Sequence, residues 1–123
     1  MSAVKINEEI EITLPVPPTS NHRLMVINGH MVKSQPARGY AKQVGIMCVK
    51  QNMKPFHEDV EVHINWFRAR KAGDIDSRQK TILDALNGFA YKDDRQIKRL
   101  IIQIIDTEKN NPRCVVRIKP ICL

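Results

Sequence analysis

From Ile12 to His57 the chain contains no aspartate and no glutamate. Arg23, Lys33, Arg38, Lys42, Lys50 and Lys54 are therefore unbalanced there and give +6, while the whole chain carries +7, so the remainder sums to only +1. This excludes a surface of evenly mixed charge. A one-sign segment makes a positive field that attracts phosphate backbones and whose grip weakens with salt. Charge alone leaves a second reading equally open, a solvated basic face that serves solubility.

Cysteine is scarce. Cys48, Cys114 and Cys122 are odd in number and have no CxxC spacing, which speaks against a disulfide framework and for reduced thiols in a cytosolic protein. His22, His30, His57 and His63 show no zinc-ligand pattern. The opening residues, "MSAVKINEEIEITLPVPP", lack the apolar h-region of a signal peptide. No apolar run approaches the roughly 20 residues that span a bilayer, so no membrane association is expected. Internal repeats and low-complexity linkers are missing as well. What remains is 123 residues, 42% hydrophobic and 27% charged, which predicts one folded domain over 1–123 with a modest core.

Residues 9–14, "EIEITL", alternate as a strand does, and "PVPPTSN" ends it because proline cannot continue a ladder. Asn28-Gly29 between "RLMVI" and "HMVKS" predicts a basic loop or short hairpin. A helix is expected from about Pro36 to Asn52, capped by Ser34, with Tyr40, Val44, Met47, Cys48 and Gln51 at helical spacing; Gly45 weakens the pattern and Pro55 stops it. In "EDVEVHINWF" (58–67), Val60, Val62, Ile64 and Trp66 point one way and Glu61, His63, Asn65 and Phe67 the other. A second helix is expected from about Asp76 to Asn87, with Ile75, Ile82, Leu83 and Leu86 as its apolar stripe and Asn87-Gly88 as its end. "IKRLIIQIID" (97–106) reads as a long strand, "TEKNNP" as a turn and "RCVVRIK" (113–119) as the returning strand. The order β-α-β-α-β-β predicts an α+β domain, a small mixed sheet packed by two helices.

Against the basic background, "GDIDSRQKTILDALNGFAYKDD" (73–94) gathers acids: Asp74, Asp76, Asp84, Asp93 and Asp94, with Lys80 among them. Residues two apart in an extended segment point the same way, so Asp74 and Asp76 are expected to face one site. On a helix beginning at Asp76, Asp76 and Lys80 are one turn apart and Asp84 continues the row. Carboxylates gathered in this way repel one another unless a cation relieves them. Mg²⁺ does so through oxygen ligands, usually one or two carboxylates plus substrate phosphates. Such an ion polarises a phosphodiester and generates hydroxide from water, and Lys80 would stabilise the developing charge. The positive surface would then hold nucleic acid and the acidic spot the metal at the scissile phosphate. Each acid also has a plainer reading: Asp76 as a helix N-cap, Asp84 as a solvated helix residue or a loop cap, Asp93-Asp94 as turn formers.

The same stretch, extended to "GDIDSRQKTILDALNGFAYKDDRQI", resembles the signature of the RusA-type Holliday-junction resolvases, D-[LI]-D-N-x-x-K-x-x-x-D-A-L followed by Gly, an aromatic-rich stretch and D-D-x-Q-[IV]. "ITLPVPPTSNHR" (12–23) resembles that family's opening strand. The resemblance covers about a third of the chain. It implies the RusA-like fold and a homodimer that binds four-way junction DNA, of the kind often encoded by phages and prophages, acting in the bacterial or phage-infected cytoplasm. It implies paired symmetric nicks made by Mg²⁺-dependent hydrolysis, with Mn²⁺ able to substitute, in DNA recombination and repair. The family's catalytic, metal-holding carboxylates fall on Asp74, Asp76 and Asp94, and its catalytic lysine on Lys80; Asp93, Ser77 and Asp84 take supporting places. Ser77 stands where the family has Asn, with a shorter reach towards any water or carboxylate it would orient. DNA contacts are expected from Lys33, Arg38, Lys42, Lys50, Arg70, Lys71 and Arg78. Two alternatives stay in view, a non-catalytic DNA-binding protein of the same fold and a Mg²⁺-dependent nucleotide phosphohydrolase.

Overall fold

A computed structural model describes residues 9–18, 24–33, 35–71 and 78–121. Its strands and helices run β1 (Ile10–Leu14), β2 (Leu24–Ile27), β3 (His30–Lys33), α1 (Gln35–Lys50), β4 (Val60–Arg68), α2 (Gln79–Leu86), a single 3₁₀ turn (Asp94–Gln96), β5 (Ile97–Thr107) and β6 (Arg113–Pro120). The chain is the expected α+β domain, a mixed four-stranded sheet with two helices.

The main sheet has the order β1-β6-β4-β5. β6 is antiparallel to both β1 and β4, while β4 and β5 are parallel. Parallel neighbours need a crossover, and α2 lies within the connection between Arg68 and Ile97. The strand after the "TEKNNP" turn does return, but not beside the strand it follows. β4 stands between β5 and β6. The connection crosses the end of β4, where the Glu108 N–H donates to the Arg68 carbonyl at 2.7 Å.

The period-2 pattern of β4 becomes one face of the core. Val60, Val62, Ile64 and Trp66 are all buried, and across the ladder Val62 meets Ile118, Ile64 meets Val116 and Trp66 meets Cys114. Ile12 and Leu14 of β1 extend the layer through Val116 and Cys114. Tyr40, Val44 and Cys48, at four-residue steps on α1, cover it together with Ile82, Ala85 and Leu86 of α2. Each large aliphatic side chain removed from water in this way contributes roughly 1.5–3 kcal/mol. Met47 is partly buried, and Gln51 is exposed beyond the helix end, where Asn52 takes a positive φ of 55°. Cys48 and Cys114 are free and buried; burial pushes the Cys114 thiol up to about 12, with Arg78 opposing. Cys122 and Ser34 lie outside the described residues.

The Asn28-Gly29 pair forms a hairpin turn with φ of 53° and 80°, both in the left-handed region that a type I′ turn requires. The resulting β2–β3 ribbon is a separate two-stranded sheet. Gly45 also has a reason in the packing. The Phe89 ring lies against it, and a Cβ there would stand 3.1 Å from the ring edge, so a larger residue would push the ring back by a few tenths of an ångström. Among the described residues, no helix is long and apolar enough to cross a membrane.

Candidate active site

α2 begins at Gln79, three residues later than the sequence pattern suggests. Arg78 precedes it with φ −119° and no side-chain cap. Its guanidinium is drawn elsewhere: it stacks 5.5 Å from the centre of the Trp66 ring and donates to the Pro17 carbonyl. Burial lowers its pKa, and its Nε has no protein partner. Arg78 is half-buried and ties the proline segment after β1 to the entry of α2. The later start also moves the one-turn relation. On the helix itself Lys80 pairs with Asp84, their charged atoms 3.7 Å apart.

Lys80 is half exposed on the first turn of α2, and Asp84 one turn on is largely covered. The chain after α2 then doubles back. Gly88 turns it with φ of 90°, the Ala90 N–H bonds the Leu86 carbonyl at 3.0 Å, and the Gly88 N–H bonds the Tyr91 carbonyl at 2.8 Å. Tyr91 is fully buried and its hydroxyl donates to the Leu83 carbonyl at 2.7 Å, pinning the return against α2. The phenol is pushed well above its ordinary range, first by burial and then by the charges of Asp94 and Asp84. Asp94 arrives beside the helix it left, its Oδ2 3.9 Å from Lys80 Nζ. Lys80, Asp84 and Asp94 are thus one cluster, brought together by the fold over a return of ten residues from Asp84.

The adjacent Asp93 has a different occupation. Its Oδ1 accepts the Arg95 N–H at 3.0 Å and its Oδ2 pairs with Arg95 Nη2 at 3.2 Å. The Arg95 backbone N–H, then the Arg95 side chain, hold its carboxyl below the usual range. Asp93 caps the 3₁₀ turn, which leaves Asp94 as the acid of the pair that faces Lys80. The reciprocal half of that cap is Gln96, to which the sequence reading gave no role. The Asp-x-x-Gln spacing of a capping box was the signal for it.

Asp74, Asp76 and Ser77 lie outside the described residues. Arg38, Lys42 and Lys50 are exposed on α1, and Arg70 and Lys71 are exposed just past β4. Lys33 ends β3. Among the described residues no group of three His, Cys, Asp or Glu is gathered as for a metal ion. The described part of the cluster sets the carboxylates of Asp84 and Asp94 around the Lys80 ammonium, in a chain of +7. Its donors are all oxygens, the ligand class of hard divalent cations, and Asp94 is 39% exposed, so a cation and a phosphate can reach it. The donor chemistry therefore fits a divalent metal.

The family model described as Endodeoxyribonuclease RusA matches residues 15–119. Compared with individual curated proteins, the chain finds no match.

Proposed function

From its membership of the RusA endodeoxyribonuclease family, we propose that this chain resolves four-way DNA junctions by Mg²⁺-dependent paired nicks placed symmetrically across the branch point, in recombination and repair. The family consists of junction-resolving endonucleases, and its members depend on divalent metal. The observation that carries the reading is the Lys80–Asp84–Asp94 cluster, in which the acid past the second helix comes back to the lysine at the helix start.

In this reading Asp94, with Asp74 and Asp76, holds Mg²⁺, which Mn²⁺ can replace. Bound there, the cation supplies Lewis-acid polarisation of the phosphodiester and lowers the pKa of water. Lys80 places a positive charge on the oxygen that becomes negative as the P–O bond breaks. Asp84, beside Lys80 and largely covered, holds the ammonium in place. The exposed cations of α1, Arg38, Lys42 and Lys50, with Arg70 and Lys71, bind the arms through phosphates. Two symmetric cuts need two such sites related by a twofold axis, hence a homodimer. β5 suits its interface: it is one edge of the sheet, and it exposes Leu100 and Ile105.

The test is a synthetic four-way junction beside a two-armed duplex, with cut positions mapped with and without Mg²⁺. Paired symmetric nicks confined to the junction and to Mg²⁺ are expected. Asp76→Asn should abolish them while leaving junction binding intact or tighter. A junction bound in Mg²⁺ and left uncut by the unmodified chain would replace the enzyme with a binding protein.

A further inference from the structure

Asp94 carries much of the site, yet its own side chain is not packed into place. It is 39% exposed, and its ion-pair partner is Lys80, at 3.9 Å, on a half-exposed side chain. The backbone of the short turn that bears it therefore has a large part in where it stands. Among the described residues, one side chain ties that turn to a distant segment. Gln96 Oε1 accepts the N–H groups of Lys92 at 2.8 Å and of Asp93 at 3.0 Å. Its Nε2 donates to the carbonyls of Phe56 at 2.9 Å and of Glu58 at 2.8 Å. A primary amide has two donor hydrogens and two acceptor lone pairs, and all are used. The orientation of the amide is also fixed, because the flipped form would set oxygen against two carbonyls and nitrogen against two N–H groups.

The two sides of this clamp are far apart in sequence. One is the segment 56–58 that leads into β4, and the other is the turn 92–96. The Asp93 cap orders the turn internally but ties it to nothing else. The Phe56 N–H bonds the Ala90 carbonyl at 2.9 Å, so the two segments already run side by side up to residue 90; Gln96 extends the seam past Asp94.

We propose that Gln96 is a positioning residue, whose fully bonded amide sets where Asp94 stands relative to Lys80 and to the metal. This rests on the reading of Asp94 as a metal-holding carboxylate. A neutral amide is suited to the task, since it binds two N–H groups and two carbonyls at once without adding charge to the site. Gln96 touches neither metal nor DNA in this account; it acts through Asp94.

The experiment compares Gln96→Met, which loses all four bonds at similar length, with Gln96→Glu, which keeps the two acceptors and loses the two donors. Ile118→Ala serves as a destabilised control in the core, away from the cluster. Three quantities are read: amide exchange at Lys92 and Asp93 in the metal-free protein, Mn²⁺ affinity in the absence of DNA, and single-turnover junction cleavage beside junction affinity. For Gln96→Met, exchange at both amides should quicken, Mn²⁺ affinity should fall, and cleavage should slow by about 10–100-fold at unchanged junction affinity, the scale of an ångström-sized misplacement. Gln96→Glu should keep the two amides protected but set an oxygen against the Phe56 and Glu58 carbonyls, releasing that side of the clamp and slowing cleavage at unchanged junction affinity, and it carries the test if Gln96→Met does not fold. Wild-type Mn²⁺ affinity and rate per folded molecule in both variants would overturn the proposal, as would losses matched by Ile118→Ala. Asp94→Asn separates the two levels: if it cleaves normally, the reading of Asp94 fails, whereas if it is inactive while the Gln96 variants are active, only the role of Gln96 fails.

Discussion

Two clusters of opposite charges sit in this small domain, and they are built in opposite ratios. At the end of the return after α2, two carboxylates, Asp84 and Asp94, share one ammonium, Lys80. On the face of the sheet away from the helices, one carboxylate, Glu61, is shared by His63 at 2.5 Å, Arg99 at 3.4 Å and Lys119 at 3.7 Å. Glu61 is buried to 8% side-chain exposure under longer side chains that reach over it. Its pKa is lowered, first by the His63 hydrogen bond and further by Lys119 and Arg99 against the cost of burial. Its charge is over-compensated, so no further cation is attracted. The first cluster is open at Asp94, which is 39% exposed, so a cation can reach its carboxylate. Carboxylates near basic residues are thus not equivalent as signals. The local ratio and the exposure separate a site from a structural ion pair.

The sharpest way to break this contrast is to neutralise one acid in each cluster. Asp94→Asn should lower junction cleavage by about 10²–10³-fold, because a carboxylate that would hold the ion polarising the phosphodiester is lost, with binding retained. If Asp94→Asn cut at the normal rate, the two clusters would be functionally alike and the contrast void. Lys80→Ala should follow with a loss of about 10²-fold in the rate of bound complex and little in affinity; a loss confined to affinity would make Lys80 a DNA contact instead.

Glu61→Gln should leave cleavage per folded molecule unchanged and lower stability by roughly 1 kcal/mol near neutral pH, within the range for hydrogen bonds to charged groups when the partners remain partly solvated. The sign with pH follows from the lowered folded-state pKa. The charged form is favoured by the fold, so the contribution is complete above the ordinary glutamate range of about 4.3 and is lost as pH falls through the folded value. Thermal unfolding of the two proteins should therefore differ at neutral pH and converge in acid. A gap that widened in acid would contradict the ion-pair account.

Much of this was readable in advance where periodicity and local chemistry agree. The alternation of β4, the stripe of Tyr40, Val44 and Cys48, and the Asn28-Gly29 turn all reflect physics that acts within a few residues. The convergence of Asp94 on Lys80 was less accessible, because it depends on how Gly88, Ala90 and Tyr91 fold the return against α2, a tertiary matter. Gly45 looked like a flaw in a helix and is the seat of Phe89. The contacts of Arg78 with Trp66 and Pro17 were likewise hidden, because they join segments far apart in sequence. Asp93 and Asp94 are identical in type and adjacent in sequence; the cap with Arg95 and Gln96 gives them different contacts. The pairing of β6 with β4 rather than with β5 was equally beyond local patterns, since a short connection between antiparallel strands usually makes a hairpin.

The smallest expected effect concerns the basic face of α1, which belongs to neither cluster. Lys42 and Lys50 are exposed, and they lie in the stretch without acids. If each neutralises one phosphate of a junction arm, each substitution by glutamine should lower affinity only a few-fold at moderate salt, because exposed ion pairs contribute about 0–1 kcal/mol. The more telling quantity is the slope of log affinity against log salt, which should fall by roughly 0.9 in magnitude for each phosphate contact removed from duplex arms. The rate of the bound complex should not change. Direct titrations of a fixed junction at several salt concentrations measure the slope, and saturating single-turnover cleavage measures the rate. An unchanged slope would remove α1 from the DNA-binding surface, and a rate that fell at saturation would bring Lys42 or Lys50 into the cluster around Lys80.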